Sequence, residues 1–259
     1  MRIGLCVGIE QAAWAARHEQ LDYLELPVST ALVPHEPMRY FEPARMLIQT
    51  LPIRAEAANL LLPPHLRATG PMDEIEQDVL DDYIQRAFDR CETLGVEVVV
   101  FGSGPSRMVP PGFGHANAFE QLLGHLRRWA PMAQKARLGL AVEALNRGEC
   151  NIINSLDEAV ELARRTNHPA VGVVADTYHM GLENERPDAI EHAGALVIHV
   201  HCADPQRRVP LGLGSADHSP YFAALRRIGY DGRVSIEANW QDLLAQLPAA
   251  IAGLKRQLL

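Results

Sequence analysis

Short apolar runs alternate along this chain with longer stretches whose apolar residues return every three or four positions. The runs read as strands over Arg2–Gly8, Asp22–Leu26, Ile53–Leu61, Val96–Phe101, Leu138–Leu145, Ala170–Asp176, Leu196–Cys202 and Arg233–Ala238. The stretches between them read as amphipathic helices. The clearest covers Asp73–Leu94, where Ile75, Val79, Tyr83, Ala87 and Cys91 fall about one helical turn apart and share one face. Acidic residues open it and Gly95 follows it, which suits the helix dipole and a C-terminal cap. A second covers Ser155–Thr166, with Ser155 and Glu158 spaced as a capping box.

Eight strand–helix units in 259 residues allow roughly 32 residues per unit, close to the ~250 of a closed (β/α)8 TIM barrel. Strands alternating with helices imply parallel pairing through right-handed crossovers. The competing architecture is an open doubly wound sheet. Its glycine-rich phosphate loop would follow the first strand, where Gly8-Ile9-Glu10-Gln11 stands instead. Gly102-Ser103-Gly104, after the fourth strand, also lacks the rest of a nucleotide fingerprint. No linker or low-complexity tract divides the chain, so residues 1–259 are expected to form a single α/β barrel domain.

Composition narrows the partners. Apolar residues make up 47% and charged residues 22%, enough for a large packed core. The formal net charge of −8 disfavours a nucleic-acid duplex, which selects for basic surfaces. Cys6, Cys91, Cys150 and Cys202 are far apart and form no C-x-x-C pair, so reduced thiols are expected rather than disulfides or a zinc–thiolate site. The opening residues lack the apolar stretch of a signal peptide, and no segment is long enough to span a membrane. These features point to a soluble, cytoplasmic protein.

The chemistry gathers on the last four strands, which end in Glu143, Asp176, His201 and Glu237. In a barrel the carboxyl ends of the strands surround one mouth, where active sites lie. Strand alternation places Gly139, Ala141 and Glu143 inward, with Gly172, Val174 and Asp176, then Val197, His199 and His201, then Arg233, Ser235 and Glu237. Three carboxylates brought together repel one another and resist burial, and a divalent cation resolves that conflict. Carboxylates with one imidazole suit Mn²⁺ first, with Mg²⁺, Co²⁺ and Zn²⁺ as further candidates. The plainer alternative is four unrelated strand-end polar groups in solvent.

Other polar residues lie nearby in sequence. Glu149, His179 and Arg207 follow three of the four ligands, and the bland reading for each is a solvated loop residue. His199 points inward one layer deeper than His201, as a hydrogen-bonded supporting histidine would. Glu25 and Asn59 close the second and third strands and are weaker candidates for the same mouth. Asp217 is placed to cap a helix beside His218. Trp14, Trp129 and Trp240 read as packing residues, with Trp240 close enough to Glu237 to wall a pocket.

Four segments together resemble the xylose-isomerase-like barrel superfamily, and within it the ketose 3-epimerases. They are Glu143-Ala-Leu-Asn-Arg-Gly-Glu149, Asp176-Thr-Tyr-His-Met180, His199-Val-His201 running on to Arg207 and Gly212-Leu-Gly214, and Ser235-Ile-Glu237. The resemblance implies that Glu143, Asp176, His201 and Glu237 bind one divalent metal ion. It implies that Glu143 and Glu237 form the acid/base pair, and that Glu149, His179 and Arg207 contact a small sugar. Ala144 departs from the pattern, since the epimerases usually have proline there. The loop Gly102–Gly114, with Ser106 and Arg107, has no counterpart in it. Such families often form homodimers or homotetramers.

The expected reaction is proton transfer on a ketose or keto-sugar through an enediolate. One glutamate takes a proton from carbon and the other returns one, each acid–base step worth about 10²–10⁴-fold. Return to the same carbon gives an epimerase, and return to its neighbour gives an aldose–ketose isomerase. Loss of a hydroxyl gives a keto-sugar or inosose dehydratase. Two other classes remain as alternatives. An apurinic-site endonuclease of the same superfamily needs extra zinc-binding histidines on early strands, where this chain has Asn59 and Gly102-Ser103-Gly104. A non-catalytic sugar-binding module would leave the ligand set unexplained.

Overall fold

The computed structural model describes all 259 residues. Eight parallel strands close into a barrel in chain order, with β1 pairing β8. They are β1 (Arg2–Cys6), β2 (Tyr23–Pro27), β3 (Ala55–Asn59), β4 (Val98–Phe101), β5 (Gly139–Glu143), β6 (Val171–Asp176), β7 (Val197–Cys202) and β8 (Arg233–Ile236). Every expected strand is present, so the open sheet is excluded. Most are shorter than the apolar runs suggest, because pairing stops where the chain turns out at the rim. At β3 the turn is made by Leu60, with a left-handed φ of 48°. No helix is long and apolar enough to cross a membrane.

Amphipathic helices pack around the barrel and bury its outward side chains. The helix expected from Asp73 begins at Gln77. Pro71 instead leads a 3₁₀ turn at Met72–Glu74, and Ile75 then goes extended. The buried face is Leu80, Tyr83, Ile84, Ala87, Phe88 and Cys91, while Val79 is 43% exposed and lies off it. Gly95 closes this helix with a φ of 74°. The helix Leu156–Thr166 is capped by Ser155, whose hydroxyl accepts from the Glu158 N–H at 3.2 Å. The Glu158 carboxylate reaches back to the Asn154 N–H rather than to that of Ser155, so only half of the box forms as expected.

The barrel interior is filled in layers. At the amino-terminal end Arg2 and Arg233 bond to the Glu56 carboxylate. Above them Val98, Val100, Ala141, Val174 and Ile198 form a small apolar plug. Large residues sit against glycines in this layer. The ring of Tyr23 occupies the space a side chain on Gly4 would need, and Ile198 lies against Gly139 and Gly172. Ile198 corrects strict alternation on β7. Val173 pairs Val197 and Val174 pairs His199, so Ile198 is an extra, bulged residue. The bulge turns Ile198 into the plug, while Val197 joins the outer core. His199 and His201, beyond the bulge, keep the inward direction.

A candidate metal centre at the barrel mouth

Glu143 and Asp176 end β5 and β6, His201 is the penultimate residue of β7, and Glu237 is the first residue past β8. One donor atom from each lies within 4.8 Å of all the others. Glu143, Asp176 and His201 are buried, and Glu237 is partly open to the mouth. Gly102, at the end of β4, makes room for this packing, because a Cβ there would collide with the Glu143 carboxylate. From behind, the buried guanidinium of Arg107 donates to the Glu143 carbonyl at 2.9 Å and to that of Phe101 at 3.1 Å. The segment after Gly102, which the motifs left without a role, thus holds β5 in place.

The imidazole of His201 is gripped on both edges. Nδ1 lies 2.8 Å from Glu143 Oε1 and 3.3 Å from Glu237 Oε2, and Nε2 lies 2.8 Å from Glu25 Oε1. Glu25 is fully buried and also takes hydrogen bonds from His199, at 2.8 Å, and from Ser235. His199 is therefore the supporting histidine its depth implied. Glu25 proves more central than its position alone suggested, and its inward parity on β2 was the available signal. Burial alone would push Glu25 up, but His201 and His199 hold it well below the usual carboxylate range. Burial would push His201 down, but Glu25, Glu237 and Glu143 raise it well above the usual imidazole value.

The donor set fits a divalent cation. His201 Nδ1 faces the carboxylates of Glu143 and Glu237, so a cation placed among them would meet one imidazole nitrogen and carboxylate oxygens together. Nε2–H would stay on Glu25, the carboxylate–histidine arrangement found behind metal sites. Asp176 divides its labour: Oδ1 accepts the Tyr178 N–H at 2.7 Å, while buried Oδ2 has no hydrogen-bond partner. A buried carboxylate oxygen left unpaired is costly unless a cation meets it. Burial pushes Glu143 and Asp176 up, whereas Glu237, despite its burial, is drawn down to about 2 by His201 and Arg208. Cys6, Glu25 and His201 form a second close group, but burial raises the Cys6 thiol well above its usual value, and a protonated thiol is a poor ligand.

A cavity of about 320 Å³ opens beside Glu143 and Glu237 and is lined also by Leu60, Ser103, Leu145, Glu149, His179 and Arg208. His179 accepts the Asn146 backbone N–H at Nδ1, 3.1 Å away, so its proton sits on Nε2. That Nε2 is buried, has no hydrogen-bond partner and lies 3.6 Å from Asp176 Oδ2. Burial lowers the His179 pKa, which keeps the ring neutral. Glu149 accepts from Asn146 Nδ2 at 3.0 Å and from the Tyr178 hydroxyl at 3.2 Å.

The structure does not bring Arg207 to this cluster. Arg207 is exposed, and Arg208 points inward to pair with Glu237 and, at 3.5 Å, with Glu149. Its guanidinium lies 4.5 Å from the Tyr178 ring centre. Both arginines have left-handed backbones, with φ of 61° and 52°, so the loop rotates one position past the expected side chain. Asn59 reaches the site, donating to Glu237 Oε1 at 3.1 Å. His218 is buried below the helix Ser219–Arg227, where Asp217 accepts the Ser219 N–H. Trp129 is core, and Trp240 walls a cavity beside Glu237.

Comparison with known proteins gives consistent findings. A family model described as xylose isomerase-like TIM barrel matches residues 13–257. The ketose 3-epimerase of Arthrobacter globiformis is 33% identical over 183 residues, 69% of this chain and 62% of that protein. The D-psicose 3-epimerase of Agrobacterium fabrum is 37% identical over 109 residues, 42% of this chain and 37% of that protein. The matched stretches thus span less than two thirds of either relative. The solved structure of D-allulose 3-epimerase from Methylomonas sp. has a TM-score of 0.84 at 24% identity, covering 100% of this chain and 98% of that one. At that identity the likeness is one of fold.

Proposed function

Because the chain belongs to the xylose isomerase-like TIM barrel family, we propose that it is a divalent-metal-dependent sugar epimerase acting on a ketose or keto-sugar through an enediolate. The observation that carries this reading is the convergence of Glu143, Asp176, His201 and Glu237 within 4.8 Å of one another beside a sugar-sized cavity. These four would hold the ion, with Mn²⁺ the first candidate and Mg²⁺, Co²⁺ and Zn²⁺ behind it. When bound, the cation would polarise the substrate carbonyl and acidify the neighbouring C–H.

Glu143 and Glu237 are the proposed acid/base pair. They enter from different strands, so one carboxylate can take a proton from carbon while the other returns one to the opposite face. Glu149 accepts a hydrogen bond from a substrate hydroxyl. His179 donates its free Nε2–H to a substrate oxygen. Arg208 rather than Arg207 completes these contacts, and its ion pair with Glu237 limits that carboxylate's swing. The ketose 3-epimerase relatives favour return of the proton to the same carbon over isomerisation or loss of a hydroxyl.

The test is solvent deuterium incorporation, followed by NMR, with Mn²⁺-loaded protein and a panel of ketoses in D₂O. Metal-dependent exchange at a carbon beside the carbonyl, lost in Glu237→Gln, is the expected result. Tight binding of one metal ion with no exchange on any ketose or keto-sugar would sink the proton-transfer reading.

A further inference from the structure

Tyr23, Gly4, Ser235 and His201 stand in one register row across four neighbouring strands. Gly4 pairs with Tyr23 on one side and with Ser235 on the other, and Ser235 pairs with His201. β2 and β8 are not neighbours, since β1 lies between them. The missing side chain at Gly4 lets them meet. The Tyr23 ring fills that space, and its hydroxyl lies 2.8 Å from Ser235 Oγ. Gly4 is not left-handed, so its backbone does not call for glycine; the close approach of the ring does.

The bonds beyond the ring have a fixed direction. Glu25, as a carboxylate, only accepts, so the Ser235 hydroxyl donates to its Oε2. Serine carries one such proton, so the Tyr23 hydroxyl donates to Ser235. Glu25 Oε2 also accepts from His199 Nε2, and Oε1 accepts from His201 Nε2, each at 2.8 Å. Tyr23, Ser235, Glu25 and both histidines are fully buried, which shuts these bonds away from solvent. Packing gives no reason for the tyrosine oxygen, because phenylalanine would fill the same space against Gly4. Its one partner is Ser235.

We propose that Tyr23 and Ser235, brought together across Gly4, are positioning residues for the metal centre. Their two hydroxyls, bonded in series, fix the Glu25 carboxylate. Glu25 in turn holds the His201 ring with Nε2–H turned inward and Nδ1 facing Glu143 and Glu237. This rests on the metal-dependent reading of the mouth. Neither hydroxyl touches the ion or the substrate, and both act through Glu25. Partners behind a ligating histidine are commonly worth about 10–100-fold in metal affinity, and a hydroxyl one bond further back is worth a part of that.

Binding of Mn²⁺ alone, or of Co²⁺ or Zn²⁺ where Mn²⁺ does not bind, would be titrated calorimetrically. The parent, Tyr23→Phe, Ser235→Ala and the double variant would be compared, with Tm recorded for each metal-free protein. Ser235→Ala should raise Kd about tenfold, and Tyr23→Phe, which keeps the ring over Gly4, about threefold. Because the tyrosine acts only through the serine, the double variant should match Ser235→Ala rather than multiply the two effects. If Ser235→Ala fails to fold, Tyr23→Phe against the parent decides. A Kd within about twofold of the parent's in each folded single variant, whatever happens to Tm, overturns the positioning role and leaves the epimerase reading standing. Effects that multiply in the double variant do the same. Binding of none of the three ions by the parent overturns both.

Discussion

Gly102, the residue that follows β4, lies where any side chain would enter the space of the Glu143 carboxylate. Its backbone is not left-handed, so alanine would meet no strain in φ. The cost falls on Glu143, which must tilt away from His201. Gly102→Ala is therefore expected to lose about 10²-fold in kcat/KM through misplacement of a reacting group, with about 1–3 kcal/mol of stability. Steady-state kinetics beside urea unfolding would check this. Full activity in Gly102→Ala would mean that Glu143 does not need its present position.

Arg107 is fully buried without a carboxylate against it, and two of its nitrogens, Nε and Nη2, have no partner. Its value lies in the two carbonyls it ties together at the ends of β4 and β5. Arg107→Met removes both donors and is expected to cost about 2–5 kcal/mol. Urea unfolding measures this directly, and a variant as stable as the parent would refute the role.

Metal removal should act on stability as well as activity. The three carboxylates among the proposed ligands repel one another when no cation is present, so chelation is expected to lower Tm. Added Mn²⁺ at about 100 times its Kd should restore roughly 2.7 kcal/mol. Asp176→Asn keeps a cap for the Tyr178 N–H but weakens the cation's hold, so its Tm should respond to Mn²⁺ far less. Scanning calorimetry with and without chelator decides; equal responses would remove Asp176 from the ligand set.

A pH effect is expected away from the mouth. Burial pushes the Glu185 carboxyl up from 4.5 to about 7, although it accepts the Leu156 N–H at 2.8 Å. The folded state therefore binds this proton more tightly than the unfolded chain does. The associated stability is complete below pH 4.5 and is lost as pH rises through about 7. Glu185→Gln stays neutral and can still accept that N–H, so its Tm advantage should be larger at pH 8 than at pH 5. An advantage confined to pH 5 would contradict the sign.

Inward parity was enough to place Glu143, Asp176, His201 and Glu237 around one mouth, because strand alternation does not depend on distant contacts. It failed where local geometry interrupts the period. The bulge at Ile198 exchanges the sides of Val197 and Ile198, and nothing in that run of β-branched residues marks it. The choice between Arg207 and Arg208 turned on two successive left-handed residues in a loop, which no periodicity describes. Glu25 was readable as inward but not as the partner of two histidines, since that depends on strands β2 and β7 meeting across the barrel interior. Arg107 was hidden for the same reason: its partners are backbone carbonyls, and these carry no residue identity.

The proposed ligands all come from β5 to β8, four neighbouring strands that form one hemisphere of the barrel. The opposite hemisphere supports them, with Glu25 against His201, Asn59 against Glu237 and Arg107 against the Glu143 carbonyl, while Cys6, Gln11 and Leu60 wall a cavity beside Glu237. On the proposed reading, the ligands and most of the walls beside β1 to β3 thus lie on different lengths of the chain. Under the proposed function, changes in the segments after β1, β2 and β3 would reshape the walls of the mouth, provided Glu25 stays, and would leave the four proposed ligands in place. A gene that exchanged its first half with that of a relative would be expected to change its diet before it changed its chemistry.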